Sequence, residues 1–290
     1  MDRGNLSFNG TAMGPAWTMA PPYILAVSTV INIISLLVNL PHIVILYSMP
    51  AEKYLGARNN RLMLLHIATM DIITTGIRLP LDNDLMQMLQ EKHFWFCALT
   101  AMLGYAPHLL THLILVIGCI DRLIAVRHPT SYTQWFLPKH IAWFYWIPYV
   151  YYIGMFTAFT VVYEKQLLMP RGFTMCLYNT RVVKKFTIVL LAGVIVPMMI
   201  IFALYGSLII TVCKRQTVSA RGEAGYAAQA AKIIVVIVMT HFLLWICAPL
   251  NALIMGITGN ALPALWYLGP LLVACNSATH PPIYGLMNSK

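Results

Sequence analysis

Long apolar runs separated by short polar stretches make up almost the whole chain. A hydrocarbon core of roughly 30 Å takes about 20 helical residues to cross. Seven windows of that kind can be drawn: Pro22–Ser48, Leu62–Leu81, Cys97–Val126, Ile141–Tyr163, Phe186–Cys213, Ala230–Ile257 and Leu262–Met287. The pattern predicts an all-α protein, a membrane-embedded bundle of seven helices over residues 22–287. Residues 1–21 precede it, and 288–290 begin a tail. The first 21 residues lack a signal-peptide pattern, and no internal repeat or low-complexity segment interrupts the spans. Proline falls inside the spans at Pro41, Pro80, Pro107, Pro148, Pro197, Pro249 and Pro281-Pro282. Each removes a backbone hydrogen bond and tends to kink its helix, leaving segments able to move.

Composition agrees with lipid as the main solvent. Hydrophobic residues make up 59% and charged residues 10%, against roughly a quarter charged in soluble domains. The net charge of +10 does not point to nucleic acid, because the basic residues stand singly or in pairs between apolar runs instead of clustering among exposed aromatics. An odd number of spans puts the termini on opposite sides. With the N-terminus outside, the inner segments hold Lys53, Arg58, Arg61, Arg122, Arg127, Lys139, Lys214, Arg215, Arg221, Lys232 and Lys290. The outer ones hold only Arg3, Lys92, Lys165, Arg171, Arg181, Lys184 and Lys185, which is the direction the positive-inside rule expects. Two acceptor patterns for N-glycosylation, at Asn5 and Asn9, agree with a lumenal N-terminus. Of the six cysteines, Cys97 and Cys176 fall in or beside outer segments, where oxidation is permitted, and form the candidate disulfide. The remaining four read as small apolar packing residues.

Ionisable groups at membrane depth default to a functional reading. Asp71 lies mid-span, with Asn39 available on the first span and Asn276 and Ser277 on the last. Such a group can hydrate a carboxylate or bind a small cation; a polar knot that ties helices together is the compatible alternative. Asp121-Arg122 closes the third span at its inner end as an interfacial ion pair. No metal-ligand spacing or nucleophile motif is present, so enzyme chemistry is not predicted. The nine histidines read as packing or interface residues.

In order and spacing these landmarks resemble the rhodopsin-like family of seven-helix G-protein-coupled receptors over nearly the whole chain. Asn39, Asp71 with Ile67-Ala68 before it, and Pro80 are similar to the family's first- and second-span positions. Cys97 precedes Asp121-Arg122-Leu123, which continues Ile-Ala-Val-Arg-His-Pro129. Trp146 or Trp143 stands for the fourth-span Trp, Cys176 for the second outer-loop Cys, and Pro197 with Tyr205 for the fifth-span pair. Asn276-Ser-Ala-Thr-His-Pro281-Pro-Ile-Tyr284 looks like Asn-Pro-X-X-Tyr with His280 in place of Asn. Three departures stand out: Leu123 replaces the motif Tyr, His280 removes an amide from the ion site, and Ile246-Cys247-Ala248-Pro249 lacks the usual sixth-span Trp unless Trp245 substitutes. Ala274, where retinal would need a Lys, argues against an opsin, and Gly104, where amines would need an Asp, argues against a monoamine ligand.

The resemblance implies a multi-pass plasma-membrane receptor that binds an extracellular ligand and activates a heterotrimeric G protein. The inner end of the sixth span opens, with Arg122, Tyr205 and Tyr284 as the switch and Asp121 restraining Arg122. Gly104, Tyr105, His108, Tyr178, Asn251 and Tyr267 are the expected cavity residues, and Arg78 either pairs with Asp82 or receives a ligand carboxylate. Such a cavity suits a small, mostly apolar ligand. The N-terminal stretch, the sixth span, Ser219-Ala-Arg-Gly-Glu and the Tyr284-Gly-Leu-Met-Asn-Ser-Lys ending are similar to odorant-type chemoreceptors. The Asn276-Ser-Ala-Thr run and the second outer loop look more like peptide receptors, so a neuropeptide or lipid ligand is the alternative. A seven-helix transporter or channel is the remote one.

Overall fold

A computed structural model describes residues 22–48, 55–81, 93–135, 138–162, 167–168, 177–178, 180–215, 235–258 and 262–288. The long helices are α1 (Pro22–Ser48), α2 (Leu55–Leu81), α3 (Phe94–Arg127), α5 (Pro138–Val162), α6 (Thr180–Arg215) and α9 (Pro263–Asn288). The sixth span is two helical pieces, α7 over 235–245 and α8 (Cys247–Thr258), with a turn at Ile246 between them. A short helix, α4 (Pro129–Trp135), follows the third span. Strands β1 (Leu167–Leu168) and β2 (Leu177–Tyr178) pair antiparallel between the fourth and fifth spans. Each predicted span is thus helical where it is described, and the hairpin is the one sheet element among the described residues.

Packing closes the helices into a bundle. α1 lies against α2 and α9, α2 against α3 and α5, α3 against α5 and α6, and α8 against α6 and α9. α3 is the central element: Leu109, Leu110, Ile114, Leu115 and Ala125 are almost wholly buried. The outward faces are the reverse of a soluble protein's. Leu37, Val44, Val150, Ile188 and Met199 are exposed, as lipid contact requires. Tyr23 and Trp95 are exposed near one end of the bundle, Tyr47 and Trp143 near the other. That is the arrangement of aromatic belts at two membrane interfaces.

Several threonine hydroxyls inside the spans are satisfied by their own helix. Thr69 and Thr157 face outward and donate to the carbonyls of Leu65 and Ile153, each at 2.7 Å, so no hydroxyl hydrogen is spent on lipid. Thr75 and Thr111 do the same inside, to Asp71 and Pro107. The end of α3 follows from His128-Pro129. A residue before proline is pushed out of the α region, and His128 leaves the helix at φ −133, ψ 64. Pro129 then opens α4 at the position where its missing N–H costs nothing.

Gly118 of α3 is buried against α2, and a Cβ there would run into Met63 Sδ. Met63 is itself 1% exposed and has little room to turn away. Gly118→Val is expected to destabilise the solubilised protein by about 1–3 kcal/mol, read as a lower melting midpoint. Adding Met63→Ala should restore part of that loss; no restoration would show that the α2–α3 approach is limited elsewhere.

Candidate functional site

At the C-terminal end of α3 the Asp121 carboxylate collects three donors. Arg122 Nη2 donates to Oδ2 in a buried ion pair. Asn59 Nδ2 of α2 and the Tyr132 hydroxyl of α4 donate to Oδ1 at 3.0 and 2.9 Å. Asn59 Nδ2 also reaches the Tyr132 oxygen at 2.8 Å. Burial pushes the Tyr132 phenol well above the ordinary tyrosine value, which keeps it protonated and a donor. Buried charges are tolerated when paired and hydrogen-bonded, and here one carboxylate ties α2, α3 and α4 together. Tyr132→Phe removes one of the three donors and is expected to cost about 1–2 kcal/mol. The measurement is the melting midpoint, and an unchanged value would show that Asn59 and Arg122 suffice.

At mid-depth, His280 Nδ1 of α9 meets Asp71 Oδ2 of α2 at 2.9 Å. A carboxylate only accepts, so the imidazole N–H donates. Asn39 Nδ2 of α1 bridges to the carbonyls of Ser277 at 2.8 Å and Ser35 at 2.9 Å. The Asn276 amide points elsewhere, with Nδ2 3.1 Å from His241 Nδ1 of α7. His241 Nε2 is 3.3 Å from His112 Nε2 of α3, and His112 Nδ1 is 2.7 Å from the His108 carbonyl. All of these side chains are buried.

Above this level Trp245 is packed among imidazoles, edge-on to His108 and His112 with centroids 4.8 and 4.9 Å away and stacked with His241 at 5.8 Å. Asn251, one helix piece further out, accepts the backbone N–H of Leu262 through Oδ1 at 3.2 Å.

A family model described as 7 transmembrane receptor (rhodopsin family) matches residues 42–284. The chain belongs to that family. No curated protein matches it. The receptor is therefore a multi-pass membrane protein of a signalling family whose members take an extracellular ligand and a G protein as partners, at the plasma membrane. The family is generally not enzymatic.

Within the receptor, the expected site residues fall into three groups. Asp121 and Arg122 are directly bonded, while Tyr205 is buried beside the Cys119 thiol and Tyr284 packs edge-on to His42 at 5.5 Å. These four do not form one hydrogen-bonded cluster in this state. Of the expected mid-membrane residues Asn39, Asp71, Asn276, Ser277 and His280, His280 is bonded to Asp71, Asn39 to the Ser277 carbonyl, and the Asn276 amide to His241. Of the cavity residues, His108 and Asn251 are described and buried. Arg78, Gly104, Tyr105, Tyr178 and Tyr267 are placed by backbone alone. Asn5, Asn9, Cys176 and Asp82 lie outside the described residues. Cys97 is disulfide-bonded, and Cys119, Cys247 and Cys275 are free.

Two further outcomes concern aromatics and histidines. Trp245 does face the core, 7% exposed, one turn beyond His241 on the same helix face. Trp143 and Trp146 instead point outward, 74% and 55% exposed. Sequence reasoning missed Asn59, Tyr132, His112 and His241. The spacing of four between His108 and His112, and between His241 and Trp245, was the available signal that these pairs share a helix face.

Proposed function

We propose that the receptor is of the odorant, chemosensory type: it takes a small, mostly apolar ligand from outside and activates a heterotrimeric G protein by opening the inner end of the sixth span. The observation that carries the ligand class is charge. Among the described side chains in the outer half of the bundle there is no Asp, Glu, Lys or Arg, and the polar groups there are neutral-type donors and acceptors such as Trp245 and Asn251. Against these side chains a charged ligand would be left without a partner, Arg78 lying outside the described side chains, whereas an apolar one with one or two polar points loses little. The N-terminus faces outside in this reading, with Asn5 and Asn9 as glycan acceptors and Cys176 as the partner of Cys97. Arg122, once released by Asp121, rebuilds contacts with Tyr205 and Tyr284 in the open form. A ligand drives that change only by binding the open state better.

The test is a cAMP and calcium assay in cells displaying the receptor, challenged with a volatile-odorant panel and a neuropeptide panel, with Arg122→Ala as control. An odorant response that the control loses supports the reading; a peptide response overturns the ligand class.

For sodium near Asp71 the donor set is mixed. Asn39 and Asn276 each leave Oδ1 without a donor among the described residues, which suits a hard cation, but His280 takes one Asp71 oxygen with a ring N–H. His280 competes with the ion. Exchanging choline chloride for sodium chloride at equal ionic strength should leave the melting midpoint of the unaltered receptor in place and raise that of His280→Asn. A sodium-dependent rise in the unaltered receptor would contradict this competition.

A further inference from the structure

The deepest unassigned feature of the bundle is the buried chain His108 carbonyl, His112, His241, Asn276. Its hydrogen-bond pattern closes in one way for neutral rings. A carbonyl cannot donate, so His112 Nδ1 carries the hydrogen shared with His108 at 2.7 Å, and His112 Nε2 is left as an acceptor. His241 must then donate through Nε2 across the 3.3 Å gap, which leaves its Nδ1 to accept from Asn276 Nδ2 at 3.1 Å. One polar chain thus joins the third, sixth and seventh spans at a single depth. His112 is 0%, His241 1% and Asn276 3% exposed, and Trp245 packs edge-on to His112 and stacked with His241. Water is kept from the bond, so breaking it leaves buried groups unsatisfied.

His241 also sits on the helical piece that ends at the Ile246 turn, the piece that must move if the sixth span opens at its inner end. We propose that the His112–His241–Asn276 chain is the latch that holds α7 closed against the third and seventh spans. His112 and His241 are positioning residues, acting on the helix and not on the ligand. The inference rests on the receptor reading above for the direction of movement.

The experiment places spin labels on Thr130→Cys and Val236→Cys, at the inner ends of the third-span extension and of α7, and reads the distance distribution of the purified full chain without ligand or G protein. His241→Phe keeps a ring and removes both nitrogens, so the bonds to His112 and to Asn276 are both lost; it is expected to raise the long-distance population by roughly ten- to a hundredfold, the effect of two buried hydrogen bonds. His241→Gln, which retains a donor and an acceptor, should stay near the unaltered distribution. The double variant His112→Phe with His241→Phe should shift no further than His241→Phe alone, because that single variant has already lost every bond from His241 to the neighbouring spans. Should His241→Phe fail to fold, His112→Phe carries the test with one latch bond lost and a rise of roughly tenfold. Unchanged distances, equal shifts for Phe and Gln, or additive shifts in the double variant would each overturn the latch. Shifted distances in a chain that activates no G protein would keep the latch and sink the coupling reading, while unchanged distances in a chain that signals would sink the latch alone.

Discussion

Cells displaying Arg122→Ala are expected to carry the receptor at its usual surface level and to give no ligand-driven G-protein activation. The asymmetry of the Asp121 cluster makes this a clean separation. Without Arg122, Asp121 still accepts from Asn59 and Tyr132, so the closed bundle keeps its anchor. The converse variant behaves differently. Asp121→Ala takes the carboxylate from a guanidinium that is 1% exposed, and losing one partner of a buried ion pair costs about 3–5 kcal/mol. That penalty falls on the closed state, so ligand-independent signalling should rise where the protein still reaches the surface. Surface staining with basal cAMP for both variants checks the pair. Loss of delivery in Arg122→Ala would mark Arg122 as a structural residue and leave the switch without its central group.

The second large effect is expected at Cys97. It stands in the first turn of α3, 5% exposed and disulfide-bonded, where it fixes the N-terminal end of the helix around which the others pack. Removing a native disulfide typically costs about 2–5 kcal/mol, enough to lower cellular abundance several-fold. Cys97→Ser should therefore cut surface display several-fold, Cys176→Ser should match it, and the two together should do no more than either. Cys275→Ser, at a free and half-buried thiol, serves as the control. Normal display and normal response for Cys97→Ser would remove the disulfide from the account.

The seven spans were legible because lipid imposes one length and one polarity on every crossing. Their ends were not. α2 begins at Leu55 where the apolar window begins at Leu62, since the helix runs on through Arg58, Asn59 and Asn60, and hydropathy measures the membrane, not the helix. α6 likewise extends to Thr180 and Arg215 around a window of 186–213. The inner-end ion pair was readable as adjacent opposite charges, but its other donors were not. Asn59 and Tyr132 come from elements 62 and 11 residues away from Asp121, and only packing brings them in. His128-Pro129 did mark where α3 stops, which is the local half of that information. The histidines were read as packing or interface residues, with His108 also placed in the cavity and His280 in the mid-membrane site, and His42, His108, His112, His241 and His280 are buried. Their role as hydrogen-bond partners across helices depended on rotations about each axis that sequence spacing leaves open.

The interruption at Ile246 sets the mechanics of the sixth span. Pro249 has no N–H to offer the Trp245 carbonyl, so the two pieces are joined by the neighbouring bonds, Ile246 to Phe242 at 3.0 Å and Leu250 to Ile246 at 3.2 Å. The part below the break, residues 235–245, behaves as a lever arm of about 16 Å at 1.5 Å rise per residue. A rotation of about 20° at such a joint carries Val235 by roughly 6 Å, about one helical pitch, while the fulcrum near Trp245 barely translates. A sub-ångström displacement beside the fulcrum is thereby geared into a gap at the inner face wide enough for an inserted side chain.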